Sequence, residues 1–339
     1  MPMLDPFAGN GFSLTTLTAA INKLPNRYGR LEELNLFPMA GLTTRALEVE
    51  EKNGVLTLVP TKPWGSPASQ NVSGKRALRT FGIPHMPLED TVQAADVQGI
   101  RAFGMENEVD PVARKVQEKL QEMKDKLDQT LEWRRMGALK GIILDADGST
   151  TLYNLYTEFG VTQKTVDFVL GTAGTDVRGK CMEVKRHIED NLLGERMTEV
   201  RVLVSEEFYD KFVSHSKVQA AFQNWQAAQE RIGGDMRNGF TFGGLTFEEY
   251  RAKTSDPSGS IQRYIAANDG HAFPLGTVNS FKTFAAPADF NETVNTIGLP
   301  YYAKMERQKF DRGMDLHTQS NVLPLSMRPG ILVRVYTSN

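Results

Sequence analysis

The sequence predicts an α+β protein. Strand-like and helix-like segments mix along the chain without the strand–helix–strand regularity of a doubly wound sheet. One very long helix, near residues 110–137, runs on a single apolar stripe, and several two-residue turn signals mark hairpins. At about 150 residues per domain, a chain of 339 residues makes roughly two domains.

Residues 1–45 read as an arm carrying one short helix. Ser13 is a cap, Leu14, Leu17, Ile21 and Leu24 recur at helical spacing, and Pro25 and Gly29 end it. The apolar run Leu31, Leu34, Leu36, Phe37 and Met39 has no clear period and is expected to dock on something the arm does not itself complete. Next comes a hairpin signal: residues 45–52 and 55–59 flank Asn53-Gly54, a pair suited to a two-residue turn.

Residues 60–80 are polar and hold three prolines, and 77–81 read as a return strand. Ordering the backbone of these 21 residues costs on the order of 20–40 kcal/mol. Trp64, Val72 and Leu78 return about 1.5–3 kcal/mol each on burial. The segment cannot order itself by burial; it is either flexible or completed by the surface of another chain.

The strongest helix opens at Asp110-Pro111, a cap followed by a proline that loses no needed hydrogen bond. Val109, Val112, Val116, Leu120, Met123, Leu127 and Leu131 form its stripe, its many charges read as a solvated face, and Gly137 reads as its end. A second hairpin turns at Asp147-Gly148, and an amphipathic helix spans 177–193 with Cys181 on its apolar side. Val200, Val202 and Val204 alternate in a strand, Ser205 caps a helix, and 217–228 form another. Gly243-Gly244 turns a hairpin, 269–277 reads as turn-rich, 281–286 is apolar, and Ile331–Tyr336 is a closing strand.

Composition excludes some functions. Lysine plus arginine total 39 against 41 acidic residues, a net charge of −2, too little positive charge to hold nucleic acid over a whole surface. A single cysteine forms no internal disulfide. No secretory signal is expected, and Pro6–Asn22 is too polar to span a bilayer. The reading is a soluble chain with no membrane partner.

No catalytic or cofactor-binding constellation is nominated. The five histidines are scattered, none paired at metal-ligand spacing. Asp145-Ala-Asp-Gly148 begins like a calcium loop but lacks its later acidic ligands, so a hairpin turn is expected there. No phosphate loop, dinucleotide fingerprint or nucleophile elbow occurs. The expectation is therefore no catalytic residue, no metal and no cofactor.

One resemblance goes further. Ala138-Leu-Lys-Gly141, Gly270–Gly276, Phe281 with Ala285–Asp289, Gly298–Lys304, Arg312–Ser320 and Leu323-Pro-Leu325 follow one another in an order that resembles the lambda-type major capsid protein E family of tailed phages. The resemblance implies the Hong Kong 97-type capsid fold. Its parts would be an N-terminal arm (1–44), an extended loop (45–88), a peripheral domain (89–198 and 301–339) with spine helix 110–137, and an axial domain (199–300). It implies a chain that assembles with itself, as hexamers and pentamers, into an icosahedral head enclosing double-stranded DNA without specific recognition. Scaffold, portal and decoration proteins would be further partners, and the chain's place would be the virion capsid, built in the host bacterial cytoplasm. Pro63, Trp64, Pro67, Arg76 and Arg79 are the residues expected at the subunit interface. Two other readings stay open: a nanocompartment shell protein of the same fold, and an enzyme on an unrecognised α+β fold.

Overall fold

The structure, a computed structural model, describes residues 13–26, 29–52, 76–93, 96, 109–232 and 239–339. Pro63, Trp64, Pro67 and the Asn53-Gly54 turn lie outside them. In chain order the helices are α1 (Leu14–Lys23), α2 (Arg30–Glu33), α3 (Val109–Lys140), α4 (Leu155–Phe159), α5 (Val177–Asn191), α6 (Glu206–Ser214) and α7 (Ser216–Ile232). The strands through the first half are β1 (Met39–Gly41), β2 (Ala46–Lys52), β3 (Arg76–Gly82), β4 (Met86–Gln93), β5 (Ile142–Leu144), β6 (Thr151–Asn154) and β7 (Lys164–Asp167). They continue as β8 (Glu199–Val204), β9 (Phe240–Phe242), β10 (Leu245–Glu249), β11 (Lys253–Ser255), β12 (Ile261–Arg263) and β13 (Asp269–Leu275). The last are β14 (Phe281–Ala285), β15 (Tyr302–Arg307), β16 (Gly313–Ser320), β17 (Val322–Ser326) and β18 (Val333–Tyr336). The chain forms two compact units, one of Met1–Leu47, Phe81–Glu132 and Thr283–Pro324, the other of Glu48–Thr80, Trp133–Lys282 and Leu325–Asn339.

The first unit is built on the antiparallel sheet β15-β16-β4. Alternation along its strands turns Met86, Val92, Leu316 and Ala303 inward, where they meet Leu17 and Ile21 of α1 and Val116, Leu120, Met123, Leu127 and Leu131 of α3. From Val116 to Leu131 the stripe read from the sequence is thus part of the core of this unit. Ser13 caps α1 by accepting from the Thr16 N–H, and Asn22 donates to the Tyr301 carbonyl at 2.9 Å, laying the helix along β15. A second sheet, β1-β14-β17, has β1 parallel to β14. Leu31, Leu36 and Phe37, expected to dock on something the arm does not itself complete, are buried.

The second unit holds a six-stranded mixed sheet in the order β7-β18-β13-β8-β10-β9. Phe208 and Phe212, one turn apart on α6, meet Phe168 and Phe247 at ring-centroid distances of 5.6 and 4.1 Å. Ser205 accepts from the Phe208 N–H to start that helix, and Gly243 and Gly244, both left-handed, close the β9–β10 hairpin as the sequence indicates.

Several expectations are corrected. Residues 269–277 read as turns, yet β13 is the fully buried strand between β18 and β8. A strand buried on both faces need not alternate, which hides it from period-2 reading. Gly270 leaves room for Val204, whose Cγ1 would stand 2.6 Å from an added Cβ. Pro274 lies beyond the β18 pairing, where β13 has only β8 as neighbour and no donor is missed. Gly137 does not end α3; the helix runs on to Lys140 and stops at left-handed Gly141. Gly137 instead admits the returning strand, with the Ile142 oxygen 3.0 Å from where a Cβ would be. β2 pairs with β3, the return strand expected at 77–81, while the hairpin partner expected at 55–59 lies outside the described residues; the Ile83 N–H donates to the Arg45 oxygen at 2.9 Å at the foot of this ribbon, and Phe81 of β3 is fully buried.

The largest correction concerns α3, whose charges are not all solvated. Lys124 and Asp128 are buried and paired at 2.5 Å, the Tyr301 hydroxyl donates to the same carboxylate, and the Lys124 ammonium lies 4.8 Å from the Tyr301 ring centroid. Burial pushes the Asp128 carboxyl up, against the opposing pull of Lys124 and Tyr301. Glu132, also buried, accepts from the Leu31 N–H at 2.8 Å and so caps α2, whose own cap residue Gly29 has no side chain to do it. Gly29 is left-handed at φ 123°, and a Cβ there would stand 2.7 Å from the Glu132 carboxylate.

Two predictions follow from these buried charges. Lys124→Met leaves the Asp128 carboxylate unpaired and should cost about 3–5 kcal/mol of stability, whereas Lys124→Met with Asp128→Leu should recover most of it; urea unfolding of the soluble subunit measures both. His271, buried in β13 among Lys140, Arg334 and Asp269, is held well below its ordinary pKa, first by burial and then by the two cations. The unfolded chain therefore takes up this proton first, and stability should decline as pH falls below about 6.5. A His271→Gln chain should lose less stability between about pH 6.5 and 4.5 than its parent, read as the slope of unfolding free energy against pH.

Candidate assembly surface

Of the residues expected at a subunit interface, the structure describes two, both on β3. Arg76 is placed by its backbone at the start of the strand. Arg79 lies with its guanidinium 4.9 Å from the Phe159 ring centroid and donates through Nε to the Glu158 oxygen, so α4 of the same chain holds it. Pro63, Trp64 and Pro67 lie outside the described residues.

The outward face of β15-β16-β4 is a second surface. Here Glu89, Thr91, Lys304, Glu306, Asp315 and His317 alternate with the inward core residues and border a groove of about 660 Å³. Opposite charges interleave along it. His317 Nδ1 is 3.1 Å from Glu89, Lys304 pairs with Glu292 at 2.8 Å and sits 5.2 Å from the Phe290 ring centroid, and Gln308 donates to Asp315 at 2.6 Å. Lys304 holds the Glu292 carboxyl below its usual range. At the groove's inner edge Lys119 of α3 pairs with Asp90 at 2.8 Å. These groups neutralise one another, and none is aimed as a nucleophile or base at a common point, so the surface is equipped for contact rather than for bond-making.

The remaining candidates for chemistry have structural partners. His85 meets Asn321 at 2.8 Å, His187 the Gly330 oxygen at 3.0 Å and His215 the Thr172 oxygen at 3.1 Å. Cys181 is buried and its thiol is pushed up to about 12 by burial, the opposite of an activated nucleophile. Asp147 accepts from the Thr150 and Ser149 hydroxyls and N–H groups, which hold its carboxyl far below the usual range, and Asp145 faces Arg134 at 3.2 Å. The calcium-like sequence is thus a hairpin turn between β5 and β6. Among the described residues no group of three or more His, Cys, Asp or Glu is gathered as a metal ion requires, and no helix is long and apolar enough to cross a membrane.

Sequence reasoning missed the buried Lys124–Asp128–Tyr301 cluster and the Glu132 cap, which fix the surfaces above to the spine helix. A signal was present: residue 124 is four from Leu120, and 128 is four from 124, so both flank the stripe instead of opposing it.

Known proteins share this chain's fold and sequence. The chain is similar in fold to a putative capsid protein of a prophage of Escherichia coli CFT073, at 14% identity, with a TM-score of 0.62 over 96% of this chain and 99% of that one. This agrees with the expected Hong Kong 97-type α+β class. In sequence it is 29% identical to the major capsid protein of Salmonella phage Felix O1 over 98% of each chain. It is 30% identical to that of Pseudomonas phage KPP10, over 97% of this chain and 98% of the relative. The profile of phage major capsid protein E matches residues 13–337, and the chain belongs to that family.

Proposed function

We propose that copies of this tailed-phage major capsid protein associate as hexamers and pentamers into an icosahedral head that encloses double-stranded DNA. The observation that carries the reading is similarity along nearly the whole chain: the relatives, both major capsid proteins, match over 98% of their own length. The chain is a structural protein of the virion capsid, not an enzyme, and its mechanism is self-association through several modest, geometrically fixed contacts acting together. A net charge of −2 supports this. Many copies packed side by side would repel strongly if each were highly charged, and a strongly basic inner wall would grip the packaged genome. Scaffold, portal and decoration proteins are proposed as the remaining partners.

Within the subunit we assign 1–44 to an arm, 45–88 to an extended loop, 89–198 with 301–339 to a peripheral domain around the spine helix, and 199–300 to an axial domain. The β18–β13 and β14–β17 pairings are among the links this assignment carries between its two domains. Pro63, Trp64, Pro67, Arg76 and Arg79 are assigned to the contact the extended loop makes with a neighbouring copy. The support is compositional: the loop's few apolar side chains cannot offset its ordering entropy alone.

The parental chain should sediment as closed shells. Deleting Thr61–Lys75 should leave a folded subunit, by circular dichroism and a cooperative melt, that no longer closes shells by negative-stain microscopy. Shells of normal size and yield from the deletion would remove the loop from assembly.

A further inference from the structure

We propose that Arg79 latches the extended loop onto α4 of its own chain, and that this aims the loop before it meets a neighbouring copy. The inference rests on the capsid reading above and deepens it: Arg79 serves the contact between copies as a positioning residue, from inside its own subunit. Two observations carry it. The Arg79 guanidinium lies 4.9 Å from the Phe159 ring centroid, and its Nε donates to the Glu158 oxygen. Phe159 is buried, so the guanidinium closes over a ring that its own unit already holds still.

α4 presents an acceptor where the guanidinium arrives. The helix is five residues long and ends at left-handed Gly160. The Gly160 and Val161 N–H groups bond back to the Tyr156 and Thr157 oxygens; the Glu158 oxygen, next along, accepts from Arg79. Arg79 thus satisfies one of the terminal carbonyls that a helix leaves without an internal partner. An apolar side chain at 79 would cover the ring and leave the carbonyl, and a lysine has neither a planar group to stack nor an Nε donor. The platform is firm. The Leu155 N–H donates to the Gly141 oxygen at 2.8 Å, Asn154 caps the start of α4, and a Cβ on Gly141 would stand 2.2 Å from the Tyr156 ring. The latch therefore reaches the C-terminal end of the spine helix.

The ribbon needs such a tie. β2 and β3 pair with each other and, among the described residues, with no third strand. A two-stranded ribbon is marginal alone, so side chains must set its direction. Residues 48–80 fall in the same compact unit as α4, and Val49 of β2 is buried. Apolar burial holds a strand down without preferring an orientation, whereas a bond from Nε to a carbonyl points one way. Arg79 stands three residues after the start of β3, the strand that follows residues 53–75, so fixing Arg79 fixes where that segment rejoins the body. A loop aimed in the free subunit has already met part of the ordering cost of the contact between copies.

The test compares Arg79→Ala and Arg79→Lys with the parental chain, first as free subunits and then in assembly. In the free subunit of both variants, amide hydrogen exchange should rise about tenfold across Arg76–Gly82 and at Gly160 and Val161, with a parental cooperative melt. The lowest subunit concentration that yields closed shells by negative-stain microscopy should rise about tenfold, as for one directional bond lost per subunit. Parental exchange in the variants would show that the free subunit has no latch. Shells from Arg79→Ala at the parental concentration would show that the latch does not serve assembly. Full rescue by Arg79→Lys would replace the latch by a simple charge contact with a neighbour. Each of these three results overturns the proposal and leaves the capsid reading intact. A parental chain that forms no shells would remove the capsid reading and the assembly role of Arg79 with it.

Discussion

The first unit depends on the register of one helix. Along α3, Lys119 pairs with Asp90, Lys124 and Asp128 with Tyr301, and Glu132 with the Leu31 N–H. These anchors span fourteen residues, about 20 Å of helix, and reach β4, the start of β15 and the arm. An apolar stripe alone tolerates sliding by one turn, because one leucine replaces another at similar cost. Directional partners do not: a slide of one turn would separate Lys119 from Asp90, Asp128 from the Tyr301 hydroxyl and Glu132 from the Leu31 N–H at once. The stripe therefore supplies most of the burial, and the charged residues select the position in which it is buried.

What could be read from the sequence was what local physics decides. Ser13 and Ser205 cap helices because a short oxygen side chain meets an N–H three residues on, whatever lies elsewhere. Gly243-Gly244 turns a hairpin because both positions need positive φ. The α3 stripe and the return strand β3 were legible for the same reason. Non-local choices were not. β13 has a glycine, a histidine and a proline where a central strand is expected to be Val- or Ile-rich, and only the neighbours β8 and β18 make sense of each. The interface residues were nominated by what the loop lacked, so the reading identified a segment and not its partners; Arg79 turned out to have one on its own α4.

The absence of a catalytic nomination and the assembly role share a physical basis. An active site concentrates unpaired reactivity in one place, with pKa values pushed toward neutrality and groups converging on one atom. In this chain Asp90, Glu183 and Glu292 are instead held low by lysines beside them, and the Cys181 thiol is pushed away from reactivity.

A subunit that assembles must also remain soluble before it does, and the sheets show how the two demands coexist. β4 is an edge strand, the usual template for uncontrolled pairing, but it carries Pro87, Glu89 and Asp90, which blunt it. The outward face of its sheet interleaves acids and bases, so no large single-sign field or apolar plane is offered. Among the described residues, exposed large apolar side chains such as Val161, Leu193, Ile261 and Val278 are scattered along the chain. A small patch binds weakly alone and does not drive aggregation, yet contacts of this size add steeply when closed symmetry makes each copy use several at once. Weak single contacts also allow a misplaced subunit to leave before its neighbours lock it in, which a single large apolar interface would prevent.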